Sequence, residues 1–158
     1  MTSTRFIVLL AATSIASACA TEPSPLEVYS LIRVNGRALP STVLSVNVDD
    51  GTTYSVEAVH GALLLYENGR FSKERQFRAL NNGIPSNDDL PKGTWSGSFV
   101  RTDSTLTISF VQVLTLNDGK TLQYVETFVY EILENGSTLR GIENVDGIFP
   151  GVYEYLRQ

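Results

Sequence analysis

Residues 93–113 read Gly93-Thr94-Trp95-Ser96-Gly97-Ser98-Phe99-Val100-Arg101-Thr102-Asp103-Ser104-Thr105-Leu106-Thr107-Ile108-Ser109-Phe110-Val111-Gln112-Val113. Large and small polar residues alternate with a period of two on both sides of Thr102-Asp103. Trp95, Gly97 and Phe99 oppose Ser96 and Ser98, while Leu106, Ile108 and Phe110 oppose Thr105, Thr107 and Ser109. Period two is the signature of a strand with one dry face. A sheet of such strands must close on itself or pack on something.

The same grammar extends outward along the chain. Seven Asn-Gly or Asp-Gly pairs punctuate it, at 35–36, 50–51, 68–69, 82–83, 118–119, 135–136 and 146–147. These dipeptides accept the positive φ angles of tight hairpin turns. The runs between them predict strands over Glu27–Val34, Thr42–Val48, Thr53–His60, Ala62–Glu67, Arg70–Ala79, Gly93–Arg101, Ser104–Val113, Thr121–Leu133, Ser137–Asn144 and Gly151–Leu156. Thr121–Leu133 is long for one strand, which predicts a bend or a bulge within it. Gly61 marks a hairpin corner, and Asn81–Lys92 is the long irregular connection, expected to cross or lid one end. The fold class is all-β. A single antiparallel up-and-down barrel of about eight to ten strands is the economical closure, with a two-sheet sandwich as the alternative.

Before this domain lies an export signal. Arg5 precedes the apolar run from Phe6, and Ala16-Ser17-Ala18 places small residues ahead of Cys19, the one cysteine of the 158 residues. The 16 uncharged residues from Phe6 to Thr21 fall short of the ~20 that a spanning helix needs. The expected organisation is a cleaved signal peptide over 1–18, a lipidated Cys19 with a short linker over 19–25, and the barrel over 26–158. Signal peptidase cutting after Ala18 or Ala20, with a soluble secreted or periplasmic product, is the other reading. A lone cysteine excludes a disulfide framework and a thiolate metal site.

Charge narrows the partners. The whole chain carries a net −5, and cleavage after residue 18 leaves 11 basic against 17 acidic residues. An acidic domain of this kind predicts no nucleic-acid partner. Arg70, Lys73, Arg75 and Arg78 form a local basic run in which Lys73, Arg75 and Phe77 share one strand face. It reads as a solvated edge strand guarded by its charges.

Little catalytic chemistry is legible. His60 is the sole histidine and reads as a half-exposed residue at a turn or strand end, and no Gly-x-Ser-x-Gly elbow surrounds any serine. No metal and no cofactor are expected, although Asn81, Asn82, Asn87, Asp88 and Asp89, with Asp49 and Asp50, offer oxygen ligands of the kind calcium takes. Their spacing is that of ordinary turns. Glu126, Glu131, Glu134 and Glu143 are the carboxylates that paired acid–base chemistry would use. Aromatics are the remaining candidates. Trp95, Phe99, Phe110, Tyr124 and Phe128 are the expected lining of a ligand pocket, and with Tyr130 and Tyr153 they are equally suited to fill the centre of a small barrel.

Three motifs in order carry a family resemblance: Tyr29-x-Leu31-x-x-Val34-Asn35-Gly36-x-x-Leu39-Pro40, then Gly61-x-Leu63-x-Leu65-x-x-Asn68-Gly69-x-Phe71, then Gly93-Thr94-Trp95 with Leu106-Thr107-Ile108. With the closing Val152-Tyr153-Glu154-Tyr155-Leu156-Arg157, the chain resembles exported bacterial lipocalin-like lipoproteins. The resemblance implies an eight-stranded or similar barrel, a diacylglyceryl group on Cys19, and residence in the bacterial cell envelope. Ala20 after the cysteine implies the outer membrane in some bacteria. A small hydrophobic ligand or short peptide inside the barrel is the expected partner besides the membrane. The alternative is a non-catalytic structural lipoprotein with a filled barrel, contacting an envelope protein through Asn81–Lys92.

Overall fold

Turn chemistry places the strands. The structure is a computed structural model that describes residues 23–48, 50–86, 90, 92–115, 119–144 and 150–158. Asn35 and Gly36 both take positive φ (52° and 76°), as do Asn82 and Gly83 (50° and 79°), the conformation a two-residue hairpin turn demands. The elements are β1 (Glu27–Val34), β2 (Arg37–Ala38), β3 (Ser41–Asn47), β4 (Thr53–Leu65), β5 (Arg70–Asn81), β6 (Ile84–Pro85), β7 (Gly93–Arg101), β8 (Thr105–Thr115), β9 (Thr121–Leu133), β10 (Thr138–Glu143) and β11 (Gly151–Arg157). One 3₁₀ turn, Glu134–Gly136, joins β9 to β10.

Eight of these strands close a barrel. The order runs β1-β11-β10-β9-β8-β7-β5-β4, and β4 returns to pair with β1. Every pairing is antiparallel, so the up-and-down barrel expected from the turns is what the chain forms. β2, β3 and β6 are short additions on β1, β4 and β5. The first described residues and the C-terminus lie at one end, where Leu26 N–H donates to Leu65 O and Gln158 N–H donates to Val28 O.

Four expectations need correction. Residues 53–60 and 62–67 are not two strands with a corner at Gly61. They are the single strand β4, which pairs with β3 over Thr53–Ala58 and with β1 over Ala62–Leu65. Gly61 marks that change of neighbour, because a Cβ there would stand 3.0 Å from the Leu31 Cβ. The glycine allows a close approach rather than a reversal of the chain. β9 carries no bulge against β8, since the pairs from Thr105↔Glu131 to Thr115↔Thr121 run in unbroken register. Its length has another cause. Pairing to β10 involves only Tyr130–Leu133, so the first part of β9 stands with β8 as a two-stranded ribbon.

The basic strand is not an edge. β5 lies between β4 and β7 along the barrel wall, which carries one of its faces inside. Finally, Asn81–Lys92 is not irregular throughout, because Asn82-Gly83 turns Ile84–Pro85 back onto β5. Residues 87–89 and 91 of that connection, with Asp49, lie outside the described residues, as does the Asp146-Gly147 turn.

The interior nearer the end where the chain enters is largely apolar. Tyr29, Leu63, Leu65, Phe71, Leu106, Ile108 and Leu139 are buried in one cluster. Gly97 makes its β7–β8 wall possible, since a Cβ there would fall 2.1 Å from the Ser109 carbonyl oxygen. Gly97→Ala is therefore expected to lower stability by about 1–3 kcal/mol through overpacking. Ser98→Ala, on the exposed face next to it, should stay within about 0.5 kcal/mol, both read by denaturant unfolding.

Candidate functional site

Alternation along β5 turns Phe71, Lys73 and Arg75 to the interior and Ser72, Glu74 and Gln76 to the outer face. Phe71 and Ala79 share the inward face and want burial, so the two cations go in with them. Both side chains are fully buried. Buried charge persists only where it is paired and hydrogen-bonded. The pairing comes from Glu143, the last residue of β10, whose side chain is equally buried.

Both oxygens of Glu143 are engaged. One carboxylate oxygen accepts hydrogen bonds from the hydroxyls of Tyr130 (2.7 Å) and Tyr155 (3.0 Å). The other accepts from the Lys73 ammonium, at a short separation, and lies 3.1 Å from Nη2 of Arg75. Lys73 also donates to the Tyr130 hydroxyl at 2.9 Å and sits 4.8 Å from the centre of the Phe128 ring.

Arg75 is held differently. Its guanidinium carbon stands 4.7 Å from the Tyr153 ring, 5.1 Å from Trp95 and 5.8 Å from Phe77, an aromatic enclosure of the kind that attracts cations. The Trp95 ring lies over Gly93, where no side chain competes for the space. Yet Nε, Nη1 and Nη2 of Arg75 have no aligned hydrogen-bond acceptor among the described residues. Arg75 is nonetheless paired: its Nη2 lies 3.1 Å from Glu143, and its charge and side-chain hydrogen bonding act on Tyr153. Because Arg75 pairs with Gly93, the first residue of β7, and Glu143 ends β10, the cluster lies where strands finish, away from the end where Leu26 enters.

Electrostatics follow from burial. Desolvation lowers the Lys73 pKa to about 7, with Glu143 opposing the shift and Arg75 adding to it. Burial alone would raise Glu143, but Lys73 and Arg75 outweigh it and hold its carboxyl below the ordinary value. Tyr130 and Tyr155 are pushed well above the usual phenol range by burial and then by the Glu143 charge.

Of the expected pocket residues, Trp95, Phe110 and Phe128 come together. Phe110 stands 6.4 Å from Trp95 and 5.5 Å from Phe128, ring centre to ring centre. Phe99 packs against the same core from farther along β7. Tyr124 is 39% exposed on the part of β9 that has only β8 as a neighbour. Lys73 and Arg75 are thus interior groups rather than solvated edge charges, and the face they share with Phe71, Phe77 and Ala79 is the sequence signal for it.

The other chemistry disperses. His60 lies within β4, not at a turn, and its exposed ring meets the exposed Glu74 at 3.1 Å. Among Glu126, Glu131, Glu134 and Glu143 only the last is buried. Asp50 and Asn82 accept backbone N–H bonds from Thr52 and Thr53, which is turn bonding. Among the described residues no group of three His, Cys, Asp or Glu could hold a metal. No protein-family model, no curated protein and no solved structure matches the chain.

Lys73 makes stability depend on pH. Its folded value near 7 lies below the ordinary 10.5, so between the two the unfolded chain binds more protons and stability rises with pH. Tyr130 and Tyr155 act oppositely above their ordinary 10.0. Thermal unfolding should show a melting temperature that climbs from pH 7 to about pH 9 and falls beyond 10, with the climb reduced in Lys73→Met.

Proposed function

We propose that this chain is an envelope lipoprotein of the lipocalin-like kind, anchored through Cys19, whose barrel binds a small hydrophobic ligand and performs no catalysis. One observation carries the binding half of this reading. Arg75 is a fully buried cation, enclosed by aromatic rings and paired with Glu143, and its N–H groups are incompletely aligned with the acceptors around them. A buried donor left wholly unmet costs about 1–3 kcal/mol. A site whose donors are only partly met is suited to an acceptor from outside the chain.

The anchoring half is supported by the sequence at 1–25 and by the geometry of the first described residues. Leu26 enters at the barrel end away from Arg75 and Glu143. The seven residues from Cys19 to Pro25 reach at most ~25 Å when extended. A membrane holding Cys19 would thus face the apolar end, leaving the charged end turned outward. Residence on the outer membrane is part of the same proposal.

A second reading also has an observation behind it. Leu63, Leu65, Phe71, Leu106 and Ile108 fill the tethered half with side chains, as a structural lipoprotein that works through its outer surface would require.

Native mass spectrometry of protein taken from its own envelope tests these readings together. The expected spectrum shows an acylated mature chain beginning at Cys19 and an additional bound mass released on activation. Cys19→Ala should move the protein from the membrane to the soluble fraction. An acylated chain with no bound mass would favour the filled-barrel reading, and an unmodified soluble chain would remove the anchor.

A further inference from the structure

We infer that the β8–β9 ribbon is a self-association surface that takes a second copy of this chain edge to edge, whatever the barrel holds. β8 pairs with β7 only over residues 106–109, and β9 pairs with β10 only over 130–133. Beyond those pairs, residues 110–115 and 121–129 have only each other as strand neighbours among the described residues. Apolar side chains are exposed on both faces of this ribbon, Val113 and Val125 on one and Leu114 and Leu122 on the other. Val125 is 68% exposed. A two-stranded ribbon is marginal in water, and three or more strands with an apolar face are needed to hold it.

The edge of β9 is open to its own copy. Sheets guard such edges with charge, proline, bulges or brevity. The terminal strands here carry guards of that kind: β2 and β6 have two residues each, β6 includes Pro85, and β3 shifts register between Thr42 and Leu44. The ribbon has no proline and no register shift, and its paired stretches hold one charge, Glu126. Ile132 N–H donates to Ser104 O on the β8 side. Alternation along the unbroken ladder therefore turns the N–H and C=O of Thr121, Gln123, Val125 and Thr127 to the open edge. An antiparallel copy related by a two-fold axis offers each of these donors an acceptor and each acceptor a donor, because such an interface is self-complementary. With the axis at Tyr124 or Val125, Glu126 faces Leu122 or Tyr124 of the copy and not itself. The joined sheet has four strands, with the two barrels at its opposite ends. Seven paired residues, 121–127, make a strip ~23 Å long. That strip covers less than the ~800 Å² per partner of a standard interface, so the dimer forms reversibly with concentration.

Sedimentation equilibrium of the mature chain, with Cys19 kept reduced, tests this directly. The average mass should rise from monomer toward dimer between about 10 μM and 1 mM. Val125→Lys charges the edge, and Val125→Pro removes an open-edge N–H while leaving the bonds to β8 in place. Each should raise the dissociation constant at least about tenfold. In the unmodified chain, amide exchange at Gln123, Val125 and Thr127 should slow with concentration more than at Leu122 and Tyr124, whose N–H groups face β8. That readout does not depend on a variant folding. A monomer throughout the range would overturn the inference, as would protection of these amides only in the presence of another envelope protein. A dimer equally strong in both variants, with exchange at these amides unchanged, would overturn the ribbon as its surface.

Discussion

A single carboxylate organises the inside of this barrel. Glu143 receives two tyrosine hydroxyls, an ammonium and the near approach of a guanidinium, and every one of these groups lies away from water. Removing an ion from water costs several kcal/mol even after relaxation. The cost is tolerable here because Glu143 offers acceptors to Lys73 and charge to both cations. Lys73 has a way out if that partner is lost, since it can release its proton. Arg75 has none, because guanidinium stays protonated in proteins. The wall of β5 is thus compatible with burial only while β10 presents Glu143 opposite it.

That requirement ties the cluster to closure of the barrel. Glu143 and Lys73 are 70 positions apart, and Tyr155 arrives from β11 next to β1. Their meeting depends on β4 exchanging β3 for β1 at Gly61, which completes the ring of strands. The division of the interior follows. Apolar residues fill most of the half where the chain enters, with the Glu27–Arg101 pair at its rim, and the fully buried ions occupy the other half, where β7 begins and β10 stops.

Local physics made much of this legible in the sequence. The alternation of Trp95-Gly97-Phe99 and Leu106-Ile108-Phe110, with Asn-Gly turns at 35–36 and 82–83, is enough to read hairpins, and hairpins in series read as a barrel. Legibility stopped where meaning depends on distant strands. Gly61 looks like a turn residue because its reason, the Leu31 side chain, comes from β1. Lys73 and Arg75 look solvated because the carboxylate that justifies their burial is far along the chain. Glu143 was visible as a carboxylate but not as the partner of these cations. Among the aromatics, Phe110 and Phe128 are inside as their alternation requires, whereas Tyr124 follows the same alternation onto a ribbon without a second neighbour. Period two reports which face a residue takes and says nothing of what stands opposite.

Denaturant unfolding of Glu143→Leu beside the triple variant Lys73→Met, Arg75→Met, Glu143→Leu tests this account most directly. Leaving Arg75 buried without its counter-charge should cost about 3–5 kcal/mol, and replacing all three ions with apolar side chains should recover most of that loss. A Glu143→Leu protein within about 0.5 kcal/mol of the unmodified chain would contradict it, because the cations would then not depend on Glu143 inside a closed barrel.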